Sequence, residues 1–450
     1  MSPQELQKYF DSFVNFESHL QHVTPARFNL QRVETLLNYL GAVHTTLPSI
    51  HVAGTNGKGS VCAFISSILQ QAGYKAGLYT SPHLEHFTER IRVLAPKATM
   101  TDFAGKISEE KLGRIVEAIF PSVETVRERK DWGELTLFEL WTVIALNYFQ
   151  EEQVDWAVLE TGLGGRLDAT NVVHSKVCAL TSIGLEHTKF LGDTIERIAV
   201  EKAAIIKTKG QRVVVAPQTK EVMAVIENRC REFDIVPVVV GKDIRCEQLR
   251  QSAEGEEFKI KTKKNEYRLK TSLIGEHQMI NAAVAVGIAE ALREKKTDIE
   301  AEAFEQGIEK ASWPGRFEVA SKNPYVILDG AHNPLAAEAL VAAIQKIFPK
   351  KKVVLILGFS EDKDRKNICQ ILAPVAGEII LTKASHPRAS VLKEDEAEKF
   401  FPGLKVTNIP NVEKALECAK TRAGKDKIIV VTGSIFLVGE MRKLGCTCSL

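Results

Sequence analysis

The sequence predicts an α/β protein: a P-loop-containing N-terminal unit on a parallel sheet, with a small antiparallel patch, followed by a second doubly wound α/β unit. Three observations predict it. Apolar runs of strand length alternate with amphipathic helical patterns along most of the 450 residues, as in sheets assembled from βαβ units. One such run, Ser49-Ile50-His51-Val52-Ala53, ends in a glycine-rich turn and enters a helical pattern at Val61–Gln71. The alternation then restarts after Trp313-Pro314-Gly315-Arg316, a Pro-Gly break of the kind that separates units. The expected units are 1–310 and 311–450.

In the first unit the strand candidates after Ser49–Ala53 are Lys75–Tyr79, Trp156–Leu159, Val177–Thr181 and Arg212–Ala216. Helical spacing marks Phe28–Leu40, Phe138–Phe149, Thr194–Ile206 and Lys220–Phe233. From Glu257 to Ile274 the pattern changes to short alternation, as in Phe258-Lys259-Ile260-Lys261, which reads as the antiparallel patch. The second unit reads as strand Tyr325–Leu328, helix Leu335–Phe348, strand Val353–Gly358, helix Ile368–Val375, strand Glu378–Thr382, helix Val412–Arg422 and strand Lys427–Val431.

Hydrophobic residues at 44% and charged residues at 26% exclude a collagen-like rod and a wholly disordered chain. Lys and Arg number 59 against 57 Asp and Glu, a net charge of +2. That balance argues against a binder of nucleic-acid backbones. None of the eight cysteines pairs at metal-finger spacing, so a reducing, cytoplasmic setting is expected. Cys446 and Cys448 read as an untidy tail or, less simply, a metal or redox pair. The opening residues are polar and acidic, and no apolar run approaches the ~20 residues of a membrane span, so neither secretion nor membrane insertion is expected.

The strongest motif is His51-Val52-Ala53-Gly54-Thr55-Asn56-Gly57-Lys58-Gly59-Ser60. In a strand–turn–helix context, the glycines turn backbone N–H groups toward phosphate oxygens and the helix N-terminus adds its dipole. Lys58 would reach the terminal phosphates, and Ser60 suits Mg²⁺. The loop is short, and Gly59 intrudes between lysine and hydroxyl.

Polar clusters follow three other strands, where open parallel sheets hold ligands: Thr80-Ser81-Pro82-His83, Glu160 to Asp168, and Ser182 to His187. Ser81 and Glu160 are natural Mg²⁺ ligands. His187 is a less usual one, and by itself reads equally as a loop histidine. Glu160-Thr161-Gly162-Leu163-Gly164-Gly165 lacks the dinucleotide register and reads as a mobile substrate loop. Lys202 lies beside the apolar Ala203-Ala204-Ile205-Ile206 and reads alone as a snorkelling lysine. In the second unit Asp329-Gly330-Ala331-His332-Asn333-Pro334 follows a strand. With Arg316 upstream it is a candidate grip on a nucleotide or carboxylate, or a capped strand-to-helix turn.

The stretches Gly54–Ser60, Thr80–Leu84 (TSPHL), Phe87–Ile91 (F-x-E-R-I), Gly162–Asn171 (GLGGRLDATN), Gly275–Ala282 (G-x-H-Q-x-x-N-A), Trp313–Arg316 (WPGR) and Asp329–Asn333 (DGAHN) together resemble folylpolyglutamate synthase and dihydrofolate synthase of the Mur ligase superfamily. The resemblance implies an ATP- and Mg²⁺-dependent ligase that joins L-glutamate to a pterin-linked carboxylate, dihydropteroate or a reduced folate, through an acyl phosphate.

It also implies roles. Thr55, Asn56, Gly57, Lys58, Gly59, Ser60, Asn281, Arg316, Asp329 and His332 would meet ATP. Ser60, Ser81, Glu160, His187 and a carbamylated Lys202 would hold metal, with Lys58, Lys202 and His187 catalytic. Gly164, Gly165, Arg166 and Asp168 would form the substrate loop. A monomer is expected. Glu186 where Asp is usual, Thr88 for Asn, Thr161 for an apolar residue and Ala204 for Gly depart from the family pattern. Two alternatives are weighed beside it: a cell-wall precursor ligase of the same superfamily and a regulatory P-loop ATPase.

Overall fold

The structure is a computed structural model that describes residues 1–17 and 29–446, apart from the side chains of Lys130 and Cys446. Phe28, the first residue of a predicted helix, and Cys448 lie outside the described residues, as does the Cys446 side chain.

Seven strands form the first sheet: β1 (Ser49–Ala53), β2 (Ala76–Tyr79), β3 (Ile91–Leu94), β4 (Trp156–Glu160), β5 (Val177–Leu180), β6 (Arg212–Val215) and β7 (Val238–Val239). Their order is β3-β2-β4-β1-β5-β6-β7. All are parallel except β3, which pairs antiparallel with β2. The central strands are buried throughout, which is why they read as unbroken apolar runs rather than alternations.

On one face Phe64, Ile68, Ala283, Val286 and Phe304 pack from helices Lys58–Gln71, Glu276–Glu294 and Ala301–Lys310. On the other, Leu36, Val116, Ile144 and Phe149 pack from helices Leu30–Tyr39, Glu109–Arg127 and Leu137–Glu151. Helices Ile195–Ala203 and Lys220–Glu232 close the β5–β6 end through Ile198 and Ile226.

The antiparallel patch starts earlier than predicted, with β8 (Arg245–Ser252), β9 (Gly255–Lys261) and β10 (Glu266–Thr271). The second unit comprises β11 (Glu318–Lys322), β12 (Tyr325–Leu328), β13 (Lys352–Leu357), β14 (Phe359–Ser360), β15 (Ala376–Leu381), β16 (Ala389–Ser390), β17 (Lys405–Asn408) and β18 (Lys427–Thr432). Its main sheet runs β11-β12-β18-β13-β15-β17, and β14 pairs with β16 separately.

Several elements are absent from the sequence reading. β3, β11 and β17 sit at sheet edges; β11 and β17 carry mixed, weakly apolar sequences and β3 is only four residues long. Helix Glu109–Arg127 contains Pro121, a residue that reads as a breaker. Helix Glu276–Glu294 is buried on almost every side, so it has little amphipathic period to detect.

Candidate active site

The order β2-β4-β1-β5 brings four strand ends side by side, at the carboxyl edge where open sheets bind ligands. After β1 the chain turns through residues 54–57 and starts the helix Lys58–Gln71. The Thr55 and Asn56 amides donate to the Ser182 carbonyl (2.8 and 3.3 Å), tying this turn to the loop after β5. Gly57 caps the helix at φ +89°, and a Cβ there would lie 2.4 Å from Asn281 Oδ1. A Cβ on Gly59 would lie 2.8 Å from the Trp313 indole. The extra glycine before Ser60 is therefore space filled by the tryptophan of the inter-unit linker.

Lys58 donates to the Thr55 carbonyl (3.1 Å), with Glu160 Oε1 at 3.9 Å. Glu160 ends β4, and its Oε2 accepts from the Ser81 amide (3.2 Å). Burial raises its pKa, opposed by Lys58 and by that hydrogen bond. His187 sits at φ +52° before a short helix, and burial brings its pKa down to about 4, so the ring is neutral at pH 7.

Ser60, Ser81, Glu160, His187 and Lys58 line one cavity of about 560 Å³. Lys202 does not line it. Its ammonium is buried and donates to the Gly54 carbonyl (2.8 Å) behind the phosphate loop, which excludes the snorkelling alternative. Burial and the nearby Lys58 charge bring its pKa down to about 7, so about half of it is the neutral amine at that pH.

Among the described residues no three His, Cys, Asp or Glu side chains converge as a metal cage. The available donors are the hydroxyls of Ser60 and Ser81 and the Glu160 carboxylate. These few hard oxygens fit Mg²⁺, which commonly binds through one or two carboxylates with substrate phosphates and waters completing its shell.

The stretch Glu160 to Gly165, which reads as a mobile substrate loop, is packed against the chain in the structure, as is its continuation to Asn171. The Arg166 amide donates to the Glu201 carbonyl (2.9 Å) and its guanidinium pairs with the Glu201 carboxylate. Gly164 and Gly165 pass against Leu191 and the backbone of Glu201 and Lys202. Asp168 is buried and accepts from the Leu163 amide (2.8 Å) and the Thr170 amide (3.0 Å). Gly162, Leu163 and Asp168 line the cavity, next to Phe138 and Trp141.

The second unit forms the opposite wall. Asp329, at the end of β12, accepts from the Phe317 and Ala331 amides (both 2.8 Å), which orients the turn carrying Arg316 and His332. Asn333 caps its helix through Ala336 N (2.9 Å). It also exchanges amide hydrogen bonds with Asn56 of the phosphate loop (2.8 and 3.1 Å). His332 Nδ1 donates to the Gly330 carbonyl (2.8 Å), and Nε2 faces Glu186 (3.2 Å), which Lys363 also contacts (3.0 Å).

Several cavity residues were not singled out from sequence. Arg90 pairs with Glu17 and donates from Nε to His83 (3.1 Å). Arg388 donates to the Glu17 carbonyl (3.1 Å) and pairs with Asp362. Arg90 lay inside a noted motif, whereas Lys363 sits in the charged run Glu361–Arg365, which resembles an ordinary solvated loop.

A nucleotide-sized cleft between a phosphate-loop unit and a second α/β unit defines the class, an ATP-dependent ligase of the Mur type. The description of the Mur ligase middle domain matches residues 52–289 and that of the Mur ligase glutamate ligase domain residues 315–435.

The dihydrofolate synthase/folylpolyglutamate synthase of Bacillus subtilis (strain 168) is 36% identical over 422 residues, covering 92% of this chain and 94% of that protein. The Escherichia coli (strain K12) enzyme of that name is 31% identical, with 94% and 92% covered. A solved Mycobacterium tuberculosis folylpolyglutamate synthase complexed with ADP superposes with a TM-score of 0.87 at 28% identity, over 98% of each chain. Escherichia coli FolC in complex with DHPP and ADP gives 0.82 at 29%, over 98% of this chain and 97% of that one. The chain belongs to the dihydrofolate synthase/folylpolyglutamate synthase family of the Mur ligase superfamily, and it is a ligase. The cell-wall ligase and regulatory ATPase alternatives give way to this assignment.

Proposed function

We propose that this chain joins the amine of L-glutamate to a pterin-linked carboxylate, dihydropteroate and reduced folates alike, using ATP, as a cytoplasmic monomer with units 1–310 and 311–450. The observation that carries it is one cavity with a phosphate end at Lys58, Glu160 and Arg316 and an aromatic end at Phe138 and Trp141. Both ends lie in a single chain, so no partner chain is needed to complete the cavity. Among the described residues no helix is long and apolar enough to cross a membrane.

An ionised carboxylate resists amine attack because its leaving group would be oxide. In the proposed reaction its oxygen attacks the γ-phosphorus of ATP and ADP departs. The amine then attacks the resulting acyl phosphate, phosphate leaves with the C–O bonding pair, and the amine gives up a proton. The chain's part is to position and to offset charge.

Thr55 to Ser60 would present backbone donors and the Lys58 ammonium to the phosphates. Asn281 would steady the loop at Gly57. Arg316, His332 and the Asp329 turn would close on the nucleotide from the second unit. Ser60, Ser81, Glu160 and neutral His187 would hold Mg²⁺, which when bound neutralises phosphate oxygens as the two anions meet. Lys202 is the proposed carbamate: its neutral amine adds to CO₂ with loss of one proton. The remaining N–H can keep its bond to the Gly54 carbonyl, and the two new oxygens would be hard donors of the kind Mg²⁺ takes, set behind the phosphate loop rather than on the cavity wall. Gly164, Gly165, Arg166 and Asp168 would hold the wall against which the acceptor lies.

The test is ATP turnover with each substrate omitted in turn. A ligase consumes ATP only when both pterin acid and glutamate are present, whereas steady hydrolysis without them contradicts the reading. Lys58→Met should lower kcat about 100-fold or more while leaving the melting temperature unchanged.

A further inference from the structure

His51 lies in the middle of β1, three residues before the phosphate loop, and is fully buried. Its Nε2 is 2.7 Å from the hydroxyl of Thr170, which is also fully buried. That hydroxyl in turn bonds Asp168 Oδ1. The polarity of this chain follows from its end. A carboxylate only accepts, so the Thr170 hydroxyl donates to Asp168, and its oxygen takes the N–H of His51 Nε2. The ring's other nitrogen then carries a bare lone pair, and Nδ1 indeed has no partner among the described residues. Burial keeps the ring neutral, with its pKa brought down to about 3.

A core position filled by Phe or Leu would avoid that orphaned atom. What the imidazole supplies is a donor on the other side of the Thr170 oxygen, which holds that hydroxyl in place with its proton on Asp168. Asp168 also accepts from the Leu163 and Thr170 amides, yet it still lines the cavity. The Gly162 amide also faces the carboxylate, so a ligand donor would share an oxygen with one of these backbone groups. The carboxylate stands between the two ends: its charge reaches Glu160 and Lys202, while Gly162, one residue before the Leu163 amide that it holds, passes so close to Phe138 that a Cβ there would meet the ring at 2.5 Å. A carboxylate beside aromatic faces suits a flat heterocycle with ring N–H or amino donors.

We propose that His51 and Thr170 are positioning residues for the acceptor, holding the Asp168 carboxylate in the orientation that receives N–H donors of the pterin ring. This rests on the reading that the aromatic end takes the acceptor. The groups sit on β1 and on the loop after β4, so the same β1 strand carries the phosphate loop at its end and the acceptor's support in its middle.

The experiment compares Thr170→Val, Thr170→Ser and His51→Phe with the parent enzyme, using dihydropteroate, ATP and glutamate, with melting temperatures measured throughout. Thr170→Val should raise the KM for dihydropteroate about ten-fold, the scale of one hydrogen bond to a charged group. The KM values for ATP and glutamate should stay within two-fold, and Thr170→Ser should restore the parent value. His51→Phe, which keeps the ring volume, should raise the same KM by a smaller factor, and it serves if Thr170→Val does not fold. A rise in all three KM values together, an unchanged dihydropteroate KM, or failure of Thr170→Ser to rescue would overturn the proposal. Asp168→Asn separates the two layers. If it leaves the dihydropteroate KM unchanged, the acceptor reading fails. If it raises that KM while the Thr170 and His51 variants do not, only the positioning proposal fails.

Discussion

The two units touch along two seams of opposite character. Beside the linker, Arg442 reaches Glu85 and Asp102 of the first unit and Glu318 of the second, with its side chain 9% exposed and its guanidinium over the Phe103 ring. Inside the cleft, the units meet through the reciprocal Asn56–Asn333 amides, through Glu186 between His332 and Lys363, and through Arg388 between Glu17 and Asp362. The first seam gathers three carboxylates on one cation, so opening it strands charges. The second mixes ion pairs with a neutral amide pair, and its Asn56–Asn333 exchange, beside the phosphate loop, is one that water or a ligand's phosphate can replace. A fixed point at the rim and an exchangeable contact over the phosphate loop are what a cleft that must admit and release nucleotide requires.

Breaking the rim seam should have the largest effect. Arg442→Ala leaves three facing carboxylates and should lower stability by about 2–3 kcal/mol, less than the roughly 3–5 kcal/mol of a fully buried broken pair because Asp102 is half exposed. Thermal or urea denaturation reads this directly. A loss below half a kcal/mol would show that the rim does not pin the units.

In the cleft, Asn333→Asp keeps an oxygen to cap Ala336 but loses the amide donor to Asn56 and adds a negative charge beside the phosphate loop. It should raise the KM for ATP about ten-fold with stability nearly unchanged. An unchanged KM for ATP would mean that the Asn56–Asn333 contact does not bear on nucleotide binding.

The smallest effect concerns Asp362. Burial would raise its pKa, but Lys363 and the Arg388 hydrogen bond and charge outweigh it, so it titrates below the ordinary 3.8. Its stabilisation is complete above the unfolded value and disappears as pH falls through the folded one. Asp362→Asn should therefore cost about 1 kcal/mol at pH 7, with a smaller gap from the parent at pH 3, read by urea titration at both values.

Legibility from sequence tracked how local each feature is. The phosphate loop, the Asp329 turn and the doubly wound alternation are contiguous in the chain, so strand, turn and helix signals coincide within a few residues. The seams were invisible because their partners lie 277 residues apart for Asn56 and Asn333 and 177 for Lys363 and Glu186, and no periodicity encodes such distances. His51 read as an ordinary strand residue, since its partner is 119 positions away. The stretch Glu160 to Gly165 misled for a different reason: its glycines signal turn geometry, and the contacts that immobilise it come from Glu201 and Leu191. Lys202 had a local environment that pointed to solvent, and only the return of its helix behind the phosphate loop buried it.

The contact between Gly59 and the Trp313 indole makes the linker an optical gauge of the loop. Indole emission shifts with the polarity around the ring, and this ring rests on the first turn of the helix that would receive phosphate. The chain has four tryptophans, so replacing Trp132, Trp141 and Trp156 with Phe would leave a single emitter. Its colour and quenching would then report arrival of nucleotide at the loop without any attached dye.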